Sequence, residues 1–163
     1  MARYGIGQSV SRKEDNRFTT GHGSYVDDLA VPGQAYAILV RSPHAHAEVR
    51  AIDTALAERA PGVVAIYTGA DVEADGLGTV PCNMDAFVPL NRPDGSRAYY
   101  PPNYLLPAKR VRHVGEAVAM VIAETPSQAR DAAEHIEVTY RALPCVVETG
   151  GAEAPDAPTI WPE

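Results

Sequence analysis

The stretch from Ala117 to Arg141 constrains the fold of this chain more than any other part of the sequence. Ala117 to Glu124 (AVAMVIAE) is apolar on both faces of a strand, which is typical of a central strand. Thr125-Pro126-Ser127-Gln128 then forms a capping box with proline at the first helical position. Small apolar residues recur at helical spacing from Ala129 to Ile136. Because Glu137 to Arg141 (EVTYR) follows as a strand, we predict a β-α-β crossover against a sheet.

Shorter elements are predicted on the amino-terminal side of this stretch. Apolar, β-branched or alternating composition predicts four more strands: Gln34 to Arg41, Glu48 to Ile52, Val63 to Thr68 and Val111 to Val114. Asp53 is predicted to cap a short helix that reaches Ala60 and ends at Pro61-Gly62. Gly69 to Asp75 is predicted to hold one helical turn. Together these elements predict an α+β domain with a mixed β-sheet and two or three flanking helices.

The rest of the chain is predicted to be irregular. Residues 1–24 are polar and rich in glycine, so we expect an extended N-terminal arm ahead of one domain at residues 25–147. Gly76 to Pro107 is a long loop, and its tyrosines at positions 99, 100 and 104 predict that it docks on another surface. Residues 148–163 are predicted to be a linker or tail.

Composition excludes several functional classes. The formal net charge is -7 and the 14 Lys and Arg residues are scattered, so no basic surface suited to nucleic acid is predicted. The longest apolar run, Ala117 to Ala123, is far shorter than the roughly 20 residues that a membrane helix needs. Arg3 to Arg17 is too polar for a secretory signal. We therefore expect a cytoplasmic protein without a membrane span.

Histidine and cysteine provide the candidate metal ligands. His44 and His46 stand two residues apart, which places both on one face of a strand, and imidazole pairs suit zinc or copper. No third ligand is evident, so a structural pair is favoured, and a metal site that also uses Cys82 is kept as an alternative. Cys82 and Cys145 lack C-x-x-C spacing, so neither a zinc ribbon nor an iron-sulfur cluster is predicted. The lack of secretory features favours two reduced, partly buried thiols, and a lone disulfide is kept as the alternative.

Carboxylates provide the candidate acid–base groups. Asp27-Asp28 and Glu14-Asp15 could do acid–base work only if folding raised a carboxyl pKa, and nothing near them indicates this. Turn and cap roles are predicted for Asp27 and Asp28, which precede Pro32-Gly33. Glu116 lies between a glycine and an apolar strand, and a hairpin-turn or interdomain salt-bridge role is favoured over catalysis. The sequence contains no G-x-G-x-x-G motif and no nucleophile elbow. We therefore assign no catalytic, cofactor-binding or metal-ligating residue to this chain.

A collinear set of residues resembles the amino-terminal region of the large subunit of molybdenum hydroxylases, the family of xanthine dehydrogenase, aldehyde oxidase and carbon monoxide dehydrogenase. The residues that carry the resemblance run from the arm to the last strand: Gly7-Gln8, Arg12, Glu14-Asp15, Arg17, Thr20-Gly21, Gly23, Tyr25, Asp27-Asp28, Pro32-Gly33, Val40 to Ala47, Pro61 to Val64, Thr68 to Asp71, Val114 to Glu116, Val118-Ala119, Ala132 to Glu134, Glu137-Val138, Tyr140 and Leu143-Pro144. Ala117 departs from the proline that the family commonly has there.

The resemblance implies that residues 25–147 form an α/β hammerhead domain. It also implies that the tail leads toward a molybdopterin-binding domain absent from this chain, and that iron-sulfur and flavin subunits are partners. The parent enzyme would use molybdopterin with molybdenum, with iron-sulfur clusters and FAD on other domains or subunits. This chain alone would be inactive, and its substrate is not implied. The alternative is a free-standing hammerhead module that binds another protein without redox activity.

Overall fold

The computed structural model describes residue 7 and residues 11–81 and 91–161. The chain divides into two compact units, Met1–Gln34 and Ala35–Glu163. The first unit contains a short helix α1 (Asp15–Thr19) and a 3-10 turn at Val26–Asp28, and none of its described residues is buried. The prediction of an extended arm is therefore wrong at α1. Local backbone hydrogen bonds stabilise α1, for example from the Phe18 N–H to the Glu14 carbonyl at 3.0 Å. The helix has little apolar periodicity, which is the signal that would have predicted it.

The second unit contains two three-stranded sheets and two further helices. In chain order its elements are β1 (Tyr36–Arg41), β2 (Ala47–Asp53), β3 (Val63–Thr68), α2 (Gly69–Ala74), β4 (Arg110–Val111), β5 (Ala117–Ala123), α3 (Pro126–Glu134) and β6 (Glu137–Ala142). One sheet has the order β1-β5-β3 and the other β4-β2-β6. The α+β class predicted from the sequence is confirmed, and β5 is the central strand as predicted.

The connection through α3 differs from the prediction. All strand pairings among the described residues are antiparallel, and they lie in two sheets where one mixed sheet was expected. The predicted β-α-β crossover is wrong, because β6 leaves the sheet of β5 and pairs with β2. Strand and helix periodicity report local conformation and carry no information on which edge a strand joins.

Two shorter predictions also need correction. The helix expected from Asp53 to Ala60 is only a 3-10 turn at Ala57–Arg59, although the Asp53 carboxylate accepts the Ala55 N–H at 3.0 Å. The strand expected at Val111 to Val114 is reduced to β4, which pairs with β2 and forms no hairpin with β5. Both segments are too short for pattern alone to fix their extent.

Two apolar clusters hold the second unit together. Ala119 and Val121 of β5 pack with Ala132 and Ile136, which lie on and just after α3. The small alanines allow α3 to approach the sheet closely, as predicted. In the other cluster Val118 packs with Ala47 and Val111 of the second sheet. Val118 is the extra residue of a bulge, because Val40 pairs with Ala119 while Arg41 pairs with Ala117. A bulge re-aims a side chain, and here it turns Val118 toward the core.

The long segment after α2 contains no helix or regular strand within residues 76–81 and 91–107, in agreement with the predicted loop. Isolated bridges join Val80 to Asn103 and Asn91 to Arg97. Among the residues that the structure describes, no helix is long and apolar enough to cross a bilayer.

Candidate functional site

The candidate histidines lie in the turn between β1 and β2, not on a strand as predicted. Ser42, which is 2% exposed, begins this turn, and its hydroxyl accepts the His44 N–H at 3.0 Å. The Ser42 N–H donates to the Glu116 carbonyl at 2.9 Å, and Gly115 N–H donates to the Ser42 carbonyl at 2.8 Å. The turn is therefore tied to the loop that precedes β5.

His46 is the buried histidine of this turn, with 6% of its surface exposed. Its Nδ1 lies 2.7 Å from the carbonyl oxygen of Pro144. Because a carbonyl can only accept, Nδ1 donates the hydrogen in this contact. Nε2 is buried and has no hydrogen-bond partner among the described residues. The contact joins the start of β2 to the segment just after β6.

His44 has a different environment. Its ring packs on the ring of Tyr140, with centroids 4.9 Å apart and an angle of 60° between the planes. Burial raises the pKa of the Tyr140 hydroxyl above its usual value of 10.0, and a hydrogen bond with Ser42 partly offsets this effect. The two histidines thus have separate structural contacts. Within the described ranges no group of three or more His, Cys, Asp or Glu side chains could hold a metal ion, and Cys82 lies outside those ranges.

Glu116 closes the loop between β4 and β5. Its carboxylate accepts the Arg112 N–H at 2.5 Å and lies 3.7 Å from Nδ1 of His113. The residue is 9% exposed, and its backbone carbonyl holds the β1–β2 turn. Arg41 adds a second tie, because its guanidinium donates to the Gly115 carbonyl at 2.8 Å. These contacts support the turn role that the sequence favoured for Glu116.

The other candidates are on the surface. Asp28 accepts the Tyr25 N–H at 2.8 Å and caps the 3-10 turn, while Asp15 accepts hydrogen bonds from the backbone and side chain of Arg12. Asp28 therefore has the cap role that was predicted for it, and Asp15 also serves a local turn. Cys145 is an exposed free thiol, so its predicted partial burial is wrong. The strand β6 ends before Cys145, so its pattern of alternating side chains does not indicate whether Cys145 is buried. The burial of a residue just beyond a strand depends on tertiary packing.

Sequence reasoning missed an aromatic stack in the tail. The guanidinium of Arg112 lies 4.1 Å from the ring centroid of Trp161 and 5.2 Å from that of Tyr104. The two rings are nearly parallel, at 15°, with centroids 6.5 Å apart. The sequence signal was a lone tryptophan in a polar tail that was predicted to be a linker. The tyrosine at position 104 does dock, as predicted for the loop, and its partner is the tail of the same chain.

Beside this stack lies an open groove of about 410 Å³. Its walls include α2, the segment Leu106 to Arg110, and the side chains of Tyr104 and Arg112. Glu73 and Lys109 face each other at 3.6 Å, and both side chains are largely exposed. A solvated ion pair of this kind contributes little free energy and offers no activated nucleophile or base. The described clusters therefore connect loops and present no catalytic constellation.

Comparison with known proteins identifies the family to which this fold belongs. Residues 20–144 match the profile of the aldehyde oxidase and xanthine dehydrogenase a/b hammerhead domain, which is most of the chain. The chain belongs to this family. The matched range of this hammerhead domain includes strands β1 to β6 and helix α3.

Relatives of this hammerhead domain are parts of much longer chains. It is 38% identical over 156 residues to the carbon monoxide dehydrogenase large chain of Afipia carboxidovorans, covering 96% of this chain and 17% of that one. It is 40% identical over 145 residues to the nicotine 6-hydroxylase large subunit of Paenarthrobacter nicotinovorans, covering 85% and 16%. A Cu,Mo-containing carbon monoxide dehydrogenase is a structural neighbour, with a TM-score of 0.74, 38% identity, and 94% and 18% coverage. The chain therefore spans about a sixth of the length of the relatives that it matches.

Proposed function

We propose that this chain is the supporting hammerhead domain of the large subunit of a molybdenum-dependent oxidoreductase, and that it performs no chemistry by itself. The observation that carries the proposal is the family match over residues 20–144, combined with the small share of the large subunits that it covers. The alternative of a free-standing interaction module is not favoured, because the relatives contain the domain as one part of an enzyme subunit.

The described residues do not fit a molybdenum or pterin group. Among the described histidines, His46 has a buried, unpartnered Nε2, but that nitrogen stands alone, with no group of metal-binding side chains in the described part. A pterin needs several convergent polar partners in an enclosed site. The groove beside Tyr104 is open, and the charged pair at Glu73 and Lys109 is solvated. We therefore derive no reaction step from the side chains of this domain.

The proposed partners follow from the family assignment. The molybdopterin-binding domains of the same subunit would continue from the tail, and iron-sulfur and flavin subunits would accept its electrons. Residues 1–24 and 148–163 would connect the hammerhead domain at 25–147 to those neighbours. The substrate is left unassigned, and the cytoplasmic location stays a prediction that cell fractionation can test.

Molybdenum content tests this proposal. The complete large subunit that contains this sequence, purified with its cofactor-inserting machinery, should carry molybdenum by elemental mass spectrometry and show dye-linked dehydrogenase activity. The 163-residue chain, produced in the same cells, should have neither property. Molybdenum and activity in the short chain would refute its supporting role, and their absence from the complete subunit would refute the enzyme assignment.

A further inference from the structure

The groove beside Tyr104 has the size and the lining of a small-molecule site. Its volume of about 410 Å³ lies within the range of roughly 300–1,000 Å³ that is typical of ligand pockets. Apolar groups line part of it, and they belong to Val72, Leu77, Leu106 and Pro107. Leu106 and Pro107 are buried, so they form a fixed part of the wall. An organic ligand in this groove would therefore remove apolar surface from water.

The charge of this groove has the opposite sign to that of the whole chain. Lys109, Arg110 and Arg112 line the groove, whereas Glu73 is the one carboxylate among the described residues that do so. The formal net charge of the chain is -7, so three cations around one carboxylate are not an average sample of its surface. A concave site lined mainly by positive charge attracts anions. The groove therefore favours a ligand that carries negative charge.

Arg110 is only partly neutralised by the carboxylate that it faces. Strand pairing places Arg110 of β4 opposite Glu48 of β2. The Glu48 carboxylate also accepts a hydrogen bond from Arg141 of β6 and forms an ion pair with Arg50 at 2.6 Å. One carboxylate is thus shared among three guanidinium groups. Arg110 therefore keeps part of its positive charge uncompensated at the wall of the groove.

We propose that this groove binds a small aromatic carboxylate. The carboxylate of the ligand lies at the cationic side, formed by Lys109 and Arg110, because hydrogen bonds between charged groups are stronger than neutral ones. The ring of the ligand lies on the apolar wall beside Tyr104, where two aromatic rings pack edge to face or offset. This binding site is additional to the supporting role proposed for the domain and needs neither metal nor pterin.

The lining of the groove favours this class of ligand over two others. An inorganic phosphate has no apolar part, so it would leave the wall formed by Val72, Leu77 and Leu106 without a contact. A neutral aromatic molecule would cover that wall but would not compensate the positive charge of Lys109 and Arg110. Only a ligand that joins a ring to an anionic group satisfies both parts of the groove.

Titration of the 163-residue chain with 2-naphthoate, followed by NMR of its backbone amides, tests the site. The groove is open, so we expect a dissociation constant of about 1 mM, with the largest shifts at residues that line it. Lys109→Gln should weaken binding about threefold, whereas Glu73→Gln should strengthen it about threefold, because the two changes alter the local charge in opposite directions. Both side chains are largely exposed, so both variants should fold.

Arg130→Gln is the matched control, because it removes one positive charge from an exposed position of α3 that does not line the groove, and it should leave the affinity unchanged. Two further ligands separate the parts of the recognition. 2-Naphthamide keeps the rings without the charge and cyclohexanecarboxylate keeps the charge without an aromatic ring, and each should bind at least about threefold more weakly than 2-naphthoate.

Several results would overturn the proposal. They are the absence of amide shifts in the groove at about 10 mM 2-naphthoate, equal affinity for 2-naphthoate and either of the other two ligands, and equal effects of Lys109→Gln and Arg130→Gln. A loss of affinity in Glu73→Gln would also overturn it, because removal of the one carboxylate cannot weaken the binding of an anion by charge.

Discussion

Buried polar side chains in this domain hold turns together. Ser42, His46 and Glu116 are the polar residues buried in the described part, and each hydrogen-bonds to a backbone group of a loop. A buried polar group without a partner costs about 1–3 kcal/mol, so these contacts strongly favour one loop arrangement. The sequence singled out His46 for its spacing from His44, and Glu116 for its place between a glycine and an apolar strand. Ser42 was missed, because a serine before proline also fits an exposed turn.

Asp71 provides a prediction for pH dependence. Hydrogen bonds from the Thr68 hydroxyl and backbone, at 2.7 and 2.6 Å, hold the pKa of the Asp71 carboxyl below its usual value of 3.8. A lowered pKa adds stability above pH 3.8, and this contribution is lost as the pH falls through the folded-state pKa. Asp71→Asn should therefore lower the free energy of unfolding by about 0.5 kcal/mol at pH 7, after allowance for solvent screening.

Urea unfolding at pH 7 and pH 3 measures this effect. The difference between the original chain and Asp71→Asn should become smaller at pH 3, because this is below the ordinary pKa of 3.8, so the Asp71 carboxyl of the unfolded chain is then largely protonated. Asp156→Asn removes an exposed carboxylate from the tail and serves as the control, with little change at either pH. A difference that is the same at both values of pH would show that the charge on Asp71 contributes nothing.

At the scale of elements, local signals predicted α3 and the long strands accurately. Thr125 accepts the Gln128 N–H at 3.2 Å and Pro126 begins the helix, as the capping box indicated. β1, β3 and β6 lie within two residues of their predicted bounds. These elements satisfy capping, turn and periodicity rules that are all local. The start of α2 depends instead on a close approach from a distant segment.

Gly69, the first residue of α2, is predicted to resist substitution by alanine. A Cβ at this position would lie 2.4 Å from the Ala108 nitrogen and 2.6 Å from the Pro107 carbonyl carbon. Those are backbone atoms, which cannot move aside as a flexible side chain can. Gly69→Ala should therefore destabilise the domain by about 1–3 kcal/mol, although the same change in an open helix stabilises by roughly 0.5–1 kcal/mol.

Gly78→Ala is the control for Gly69→Ala, because no heavy atom lies within 4 Å of a Cβ built at Gly78. Its free energy of unfolding in urea should stay within about 0.5 kcal/mol of the original chain. If Gly69→Ala were equally neutral, the close crossing of α2 by Pro107 and Ala108 would not exist in solution.

At the scale of the whole chain, the described contacts place part of the predicted linker on the second unit. Trp161 is half-buried and stacks with Arg112 and Tyr104, which lie in the segment before β5. Cation–π contacts of this kind contribute about 0.5–1 kcal/mol when exposed. The contact brings the end of the tail to the groove beside α2, so the tail has a defined path over its own domain.

Intrinsic fluorescence tests the docking of the tail, because Trp161 is the only tryptophan in the chain. Tyr104→Ala should shift the emission maximum toward that of the urea-unfolded chain, since Trp161 loses a stacking partner and becomes more exposed to water. The free energy of unfolding should fall by about 0.5–1.5 kcal/mol. Tyr25→Ala, at an exposed tyrosine of the first unit, should leave the emission unchanged. An unshifted maximum in Tyr104→Ala would contradict the stack.

The sequence by itself determined the hammerhead family, the central strand β5, the capped helix α3 and the absence of motifs for nucleotide binding or covalent catalysis. These features depend on residue order and on patterns only a few residues long. Tertiary structure alone decided that β6 joins a second sheet, that His46 bonds to Pro144, and that Trp161 stacks on Arg112. Each of these contacts joins residues more than forty positions apart, and their partners are selected by packing of the complete core, which no local pattern encodes.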